Sequence, residues 1–205
     1  MHKEIQHEEK LQHEKRRRLR VAVYCSSRPG LPPEVEAGAS MIAECIGECG
    51  ADLVYGGVNA GLMHTVAESA ARAGAEVYGI VPADFTHRAD PICTHIIHTS
   101  DLSQRKSRMI EMADIFVVLP GGIGTIDEWI STLSHIMVRE LTDPAADAPI
   151  LVWNHQDMYA GAASQLRDTD SSVYARGKRV DRSRLFATAA ELAESLRSLL
   201  AGRGD

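Results

Sequence analysis

A chain of 205 residues, 44% hydrophobic and 24% charged, has the composition of a globular protein and the length of one well-packed domain, being short for two. Its 22 Lys and Arg against 28 Asp and Glu give a formal net charge of −6, which argues against a binder of nucleic-acid polymers but not against a pocket for one small phosphorylated ligand. No apolar run approaches the roughly 20 residues that span a bilayer, and the N-terminus lacks the pattern of a secretory signal, so no membrane partner and a cytoplasmic location are expected.

Residues 1–18 are almost wholly charged or polar and read as a solvated tail, leaving 19–205 as a single domain. Val21-Ala22-Val23-Tyr24-Cys25 is a short apolar run ending in Ser26-Ser27, the pattern of a buried parallel strand. Apolar groups at Val35, Ala39, Ile42, Ala43 and Ile46 predict a helix over 34–49, stopped by Gly50. Leu53-Val54-Tyr55 forms a second strand running into Gly56-Gly57, followed by a helix over 62–73 that Gly74 ends. The strand Val77-Tyr78-Gly79-Ile80-Val81 stops at Pro82 and gives way to a loop over 82–94. Ile96-Ile97 reads as a short strand and 102–113 as a helix. That helix leads into Ile115-Phe116-Val117-Val118-Leu119, the most hydrophobic strand. The turn Pro120-Gly121-Gly122-Ile123-Gly124-Thr125 then opens a helix over 124–140. A loop begins at Thr142-Asp143-Pro144, and Ile150-Leu151-Val152-Trp153 is the last strand expected. Helices near 157–167 and 187–200 close the chain, joined by a polar segment containing Arg176, Lys178 and Arg179.

Strands alternating with helices predict an α/β fold, a single doubly wound, Rossmann-like parallel sheet with helices on both faces. In such sheets ligands bind beyond the carboxyl ends of the strands, where strand order reverses. Ser26-Ser27, Gly56-Gly57, Pro82 and Pro120-Gly121-Gly122 all fall at strand carboxyl ends, which places one site. The four cysteines, Cys25, Cys45, Cys49 and Cys93, form no C-x-x-C pair and are read as reduced thiols, with Cys45 and Cys49 sharing a helix face. The scattered His64, His87, His95, His98, His135 and His155 suggest no metal site, and no cofactor is expected.

The turn after Leu119 carries the chemistry. Gly121, Gly122 and Gly124 let backbone amides approach a ligand, Thr125 adds a hydroxyl, and the next helix aims its positive end at the same place. This is a phosphate cradle, yet it has neither the Lys-Ser/Thr of a Walker A loop nor the G-x-G-x-x-G of dinucleotide binders. Asp127 and Glu128 are expected in the first turn of that helix. Asp127 is read as a partner of the helix dipole. A second carboxylate beside a bound phosphate is repelled by it, so Glu128 is assigned to a neighbouring electron-poor atom, the anomeric carbon of a ribose 5-phosphate. Arg105 and Lys106 fall near the start of their helix, where the dipole disfavours cations and an anion offsets the cost, whereas Arg108 reads as solvated.

Arg105-Lys106 followed by Pro120-Gly121-Gly122-Ile123-Gly124-Thr125-Ile126-Asp127-Glu128 resembles the signature of the Lonely guy (LOG) family, cytokinin riboside 5′-monophosphate phosphoribohydrolases often mislabelled lysine decarboxylases. The resemblance covers roughly residues 20–160 and includes Tyr24-Cys25-Ser26-Ser27, Asp52 to Gly57, and Gly61-Leu62-Met63. It implies hydrolysis of the N-glycosidic bond of a nucleoside 5′-monophosphate, of the cytokinin riboside or AMP type, with Arg105 and Glu128 catalytic. It further implies that Ser27, Gly57, Met63, Lys106, Gly121, Gly122, Gly124, Thr125 and Ser134 bind substrate. The pattern departs at Ser134, His135 and Met137, and again at Arg88 and Asp90, so the resemblance carries the chemistry further than the identity of the base. The other readings are a glycosidase for a different base, such as that of CMP, and a non-catalytic binder of a nucleotide or molybdenum cofactor, which would have no use for Glu128. A decarboxylase of the pyridoxal phosphate type would need a Schiff-base lysine and a large cofactor site. A homodimer is expected, because Ile126, Trp129, Ile130, Leu133, Ile136, Met137 and Val138 give the helix over 124–140 more than one apolar face. The alternative cover for the second face is the helix near 187–200.

Overall fold

The computed structural model of the chain describes residues 17–140, 142–143, 148–170 and 183–203; the tail up to Arg16 and the segment with Arg176, Lys178 and Arg179 lie outside the described residues. The strands are β1 (Arg20–Tyr24), β2 (Asp52–Tyr55), β3 (Val77–Pro82), β4 (His95–Thr99), β5 (Ile115–Val118), β6 (Ile150–Trp153) and β7 (Ser183–Phe186). The helices are α1 (Pro33–Glu48), α2 (Gly61–Arg72), α3 (Leu102–Met112), α4 (Ile123–Arg139), α5 (Ala160–Asp170) and α6 (Ala189–Arg203), with short 3-10 segments at Ala83–Arg88 and His155–Asp157. The strands form one parallel sheet in the order β4-β3-β2-β1-β5-β6-β7, the doubly wound α/β fold expected.

Side-chain alternation assigns the two faces. Val21, Val23, Ile115 and Val117 pack against α1, α2 and α6, whereas Ala22, Tyr24, Phe116 and Val118 face α3, α4 and the chain around α5. These central strands have apolar residues on both faces because helices cover both.

Three features differ from the sequence reading. First, Ile150–Trp153 is not the last strand: Ser183–Phe186 adds β7 beside β6, within the stretch read as polar. Ser-Arg-Leu-Phe is a half-exposed edge strand and has no continuous apolar run to reveal it. Second, α4 starts at Ile123, so Asp127 and Glu128 stand in its second turn and not its first. Third, Arg17 and Arg18, counted with the tail, are fastened to the domain. Arg17 pairs with Asp114 at 2.7 Å and Arg18 with Asp52 at 3.0 Å. The thiols are free, and Cys45 and Cys49 lie 4.0 Å apart, but only Cys45 is fully buried because Cys49 is the last-turn cap of α1. No described helix is long and apolar enough to cross a membrane.

Candidate active site

The strand order reverses between β1 and β5, which are neighbours while their crossovers run in opposite directions. Beyond Tyr24 and Val118 the two chains stay bonded, Leu119 N–H donating to Tyr24 O at 2.9 Å and Ser26 N–H to Pro120 O at 3.2 Å. A cavity of about 640 Å³ opens at this point. Ser26, Ser27 and the turn from Pro120 to Thr125 line it together with Met63, Arg105 and Glu128.

Within the turn the glycines separate by role. A Cβ on Gly121 would collide with the Thr125 hydroxyl, so that position is set by packing. Gly122 and Gly124 have nothing within 4 Å of where a Cβ would sit, and both line the cavity, so the space beside them is left for something outside the chain. Gly122 O accepts from Thr125 N–H at 3.0 Å and Ile126 N–H at 3.1 Å, starting α4. The N–H groups ahead of Thr125 have no acceptor inside the helix, an arrangement suited to an anion.

Beneath the turn, α3 and α4 face each other through two adjacent ion pairs. Arg105 Nη2 donates to Glu128 Oε1 at 2.5 Å, with side chains 13% and 4% exposed. Lys106 Nζ donates to both carboxylate oxygens of Asp127, at 2.9 and 2.7 Å, and to Ser131 Oγ at 3.2 Å. Asp127 therefore serves Lys106 and not the helix dipole, and Lys106, expected to hold phosphate and ribose, is not among the residues lining the cavity. Glu128 shares the inward stripe of α4 with Thr125, Trp129 and Thr132. Burial, only partly opposed by Arg105, pushes its carboxyl up to about 7. Its helix is fixed by a relay in which Tyr24 hydroxyl bonds Thr132 Oγ1 at 2.8 Å and Thr132 donates to Glu128 O at 2.8 Å. Arg105 lies against Gly56, where a Cβ would be 3.3 Å from Nη1.

Of the other expected site residues, Ser27 and Met63 line the cavity, but Gly57 and Ser134 do not. Gly57 has left-handed backbone (φ 69°), and a Cβ there would strike Val81, so its role is to let β2 turn against β3. Ser134 is exposed, on the part of α4 beyond the cavity. The two departures in the loop also part ways. Arg88 lines the cavity, whereas Asp90 is fully buried and bonds His64 Nδ1 at 2.8 Å. Cys25, Arg28, Phe85, Leu102 and Met158 line the cavity without having been selected from sequence. They come from four separate segments, Cys25 and Arg28 sharing the one after β1, and only the fold brings these together.

A model of the family described as possible lysine decarboxylase matches residues 63–196. The chain belongs to this family, the Lonely guy (LOG) proteins. A cytokinin riboside 5′-monophosphate phosphoribohydrolase of Rhodococcoides fascians is 36% identical over 121 residues, covering 56% of this chain and 59% of that protein. One of the same name from Mycobacterium marinum is 31% identical over 156 residues, 74% of this chain and 81% of that one. The chain spans about half to three-fifths of the length of several curated LOG relatives it matches. Among solved structures, the molybdenum cofactor binding protein of Rippkaea orientalis aligns over 91% of this chain and 99% of its own, with TM-score 0.70 and 18% identity, a likeness of fold. Among the described residues no lysine lines this cavity, and Lys106 is turned to Asp127.

Proposed function

We propose that this LOG protein hydrolyses the N-glycosidic bond of a nucleoside 5′-monophosphate, of the cytokinin riboside or AMP type, to a free base and ribose 5-phosphate. The observation that carries the reading is a buried carboxylate, Glu128, held by Arg105 inside the same cavity as the anion-binding turn. The names of the relatives from Rhodococcoides fascians and Mycobacterium marinum support the same chemistry.

In this reading Gly122, Gly124 and Thr125 hold the 5′-phosphate, which fixes the ribose over Glu128. The bond between C1′ and the base nitrogen breaks with its electron pair leaving on the base, and the ribosyl carbon becomes cationic. The Glu128 carboxylate stabilises that charge. Water adds its hydroxide to C1′ and its remaining proton goes to the base, so the atoms balance. Arg105 orients Glu128 and polarises the departing base. Ser27 and Met63 bound the sugar and base side. The protein acts as a cytoplasmic homodimer, a reading supported by its free thiols and by the uncovered face of α4, where Ile130 and Val138 are 42% and 62% exposed.

The deciding experiment incubates the protein with a panel of nucleoside 5′-monophosphates and their nucleosides and separates the released bases by chromatography. Base is expected from a nucleotide and not from its nucleoside, because phosphate binding energy is used at the reacting carbon. Equal rates on both would sink the reading.

A further inference from the structure

After β6 the chain takes an unfavourable path. Gln156 (φ 48°) and Asp157 (φ 58°) both adopt left-handed backbone, which residues with a side chain avoid, and such strain persists only where the surroundings enforce it. Asn154 provides the enforcement. Its Nδ2 donates to Asp157 Oδ1 at 3.0 Å, and its Oδ1 accepts from Tyr159 N–H at 2.8 Å, so one side chain brackets the turn. The turn delivers Met158 to the cavity wall and the next residue, Tyr159, underneath the phosphate turn.

Tyr159 is buried, with its ring edge-on to Trp129 at 5.7 Å between centroids. Its hydroxyl donates to Leu119 O at 2.8 Å and lies 3.4 Å from Gly121 O, so a single proton serves the carbonyls on both sides of Pro120. The Gly121 carbonyl belongs to the peptide that also contains Gly122 N–H. No peptide among the described residues is cis, and in a planar trans peptide the carbonyl and the N–H point in opposite directions. Drawing Gly121 O toward the buried phenol therefore aims Gly122 N–H away from it, to the side on which Gly122 lines the cavity. A peptide between two glycines meets little steric resistance to flipping, so its orientation has to be held from outside.

We infer that Tyr159 is a positioning residue, whose buried phenol locks the Gly121–Gly122 peptide with its N–H toward the substrate's phosphate and which the strained turn at 156–157 exists to place. The inference rests on the reading of the turn as a phosphate site. Its test titrates the ¹⁵N-labelled full chain with ribose 5-phosphate, following Gly122 and the amides of the sheet, for the native protein and Tyr159→Phe. In the native protein Gly122 N–H shifts strongly on binding. In Tyr159→Phe the free-state Gly122 signal is displaced or broadened and the Kd for ribose 5-phosphate rises about tenfold, the worth of one hydrogen bond, while amides of β2, β3 and α6 stay in place. A Kd within twofold of native, or a loss accompanied by displacement of amides throughout the sheet, overturns the inference. Should Tyr159→Phe not fold, Asn154→Ser, which keeps the phenol and loosens its bracket, is expected to weaken ribose 5-phosphate binding selectively in the same way. Failure of both variants to fold makes Tyr159 a core residue only and overturns it. A native protein that binds ribose 5-phosphate but releases no base fails the hydrolase reading alone, and one that binds no ribose 5-phosphate overturns both.

Discussion

Asp127 and Glu128 are adjacent acids with opposite surroundings, and the difference sets their expected effects. Asp127 is more than half exposed and paired with Lys106, whereas Glu128 is 4% exposed and paired with Arg105 beside the cavity. Glu128→Gln keeps the shape and removes the charge, so kcat is expected to fall about 100- to 10,000-fold with nucleotide affinity nearly kept; Asp127→Asn is expected to be milder. Steady-state kinetics on both variants check this, and an essential Asp127 with a dispensable Glu128 would reverse the assignment. The pH dependence follows from the same burial. The ionised form is needed and its carboxyl sits at about 7, so kcat should fall as pH drops below about 7. Stability moves the other way. Between the ordinary value of 4.5 and about 7 the folded chain holds a proton on Glu128 that the unfolded chain releases, so this residue's destabilising charge is relieved as pH falls through that window. Glu128→Gln should therefore raise Tm most at pH 8 and least at pH 5, as scanning calorimetry at both values would show.

The carboxyl-terminal ends of α1 and α2 meet near the amino end of β1, where helix carbonyls and the negative ends of two dipoles gather. Both helices stop on a left-handed glycine, Gly50 and Gly74, with the next residue bonded back across the last turn. Arg18 answers this concentration of acceptors: it donates to Gly50 O at 2.7 Å, Ala51 O at 3.3 Å and Gly74 O at 3.2 Å, and pairs with the buried Asp52. Arg18→Ala leaves Asp52 without this partner and is expected to cost about 1–3 kcal/mol, read as a lower urea midpoint with unchanged slope. Lysine at this position should recover only part, because a single ammonium cannot reproduce the fork that spans two helix ends.

At the scale of the molecule, α6 packs with α1 on one face of the sheet while α4 lies on the other, so the carboxy-terminal helix does not cover the second apolar face of α4. Trp129, Leu133 and Ile136 turn inward, and Ile123, Ile130 and Val138 remain outward at 82%, 42% and 62% exposure. A second copy of the chain is the cover expected. Light scattering at micromolar concentration should give about twice the 22.3 kDa of one chain, and Val138→Glu, remote from the cavity, should return the mass to that of one chain.

The central strands, the helix periods and the glycine-rich turn were legible in the sequence because each is a local pattern: continuous apolar runs for β1 and β5, a 3.6-residue stripe for α4, and glycines before a helix. Arg105 and Glu128 stood out in the sequence because a cation near a helix start and a carboxylate beside a glycine-rich anion turn each break a local electrostatic rule; that both face one cavity is seen only in the fold. The edge strand β7 was not, because half-exposed Ser183–Phe186 owes its conformation to pairing with β6 and not to its own residues. Nor could the sequence separate Lys106 from Arg105: the two are neighbours in the chain, but helical rotation turns one to the cavity and the other to Asp127. Tyr159 stayed hidden for the same physical reason, because its hydrogen bonds to Leu119 and Gly121 span 40 and 38 residues. Local pattern thus determined most of the strands and helices and where the glycine-rich turn lies. Which neighbouring side chains face the cavity, and what holds the turn from below, was decided by contacts between distant segments, which exist only once the sheet has closed.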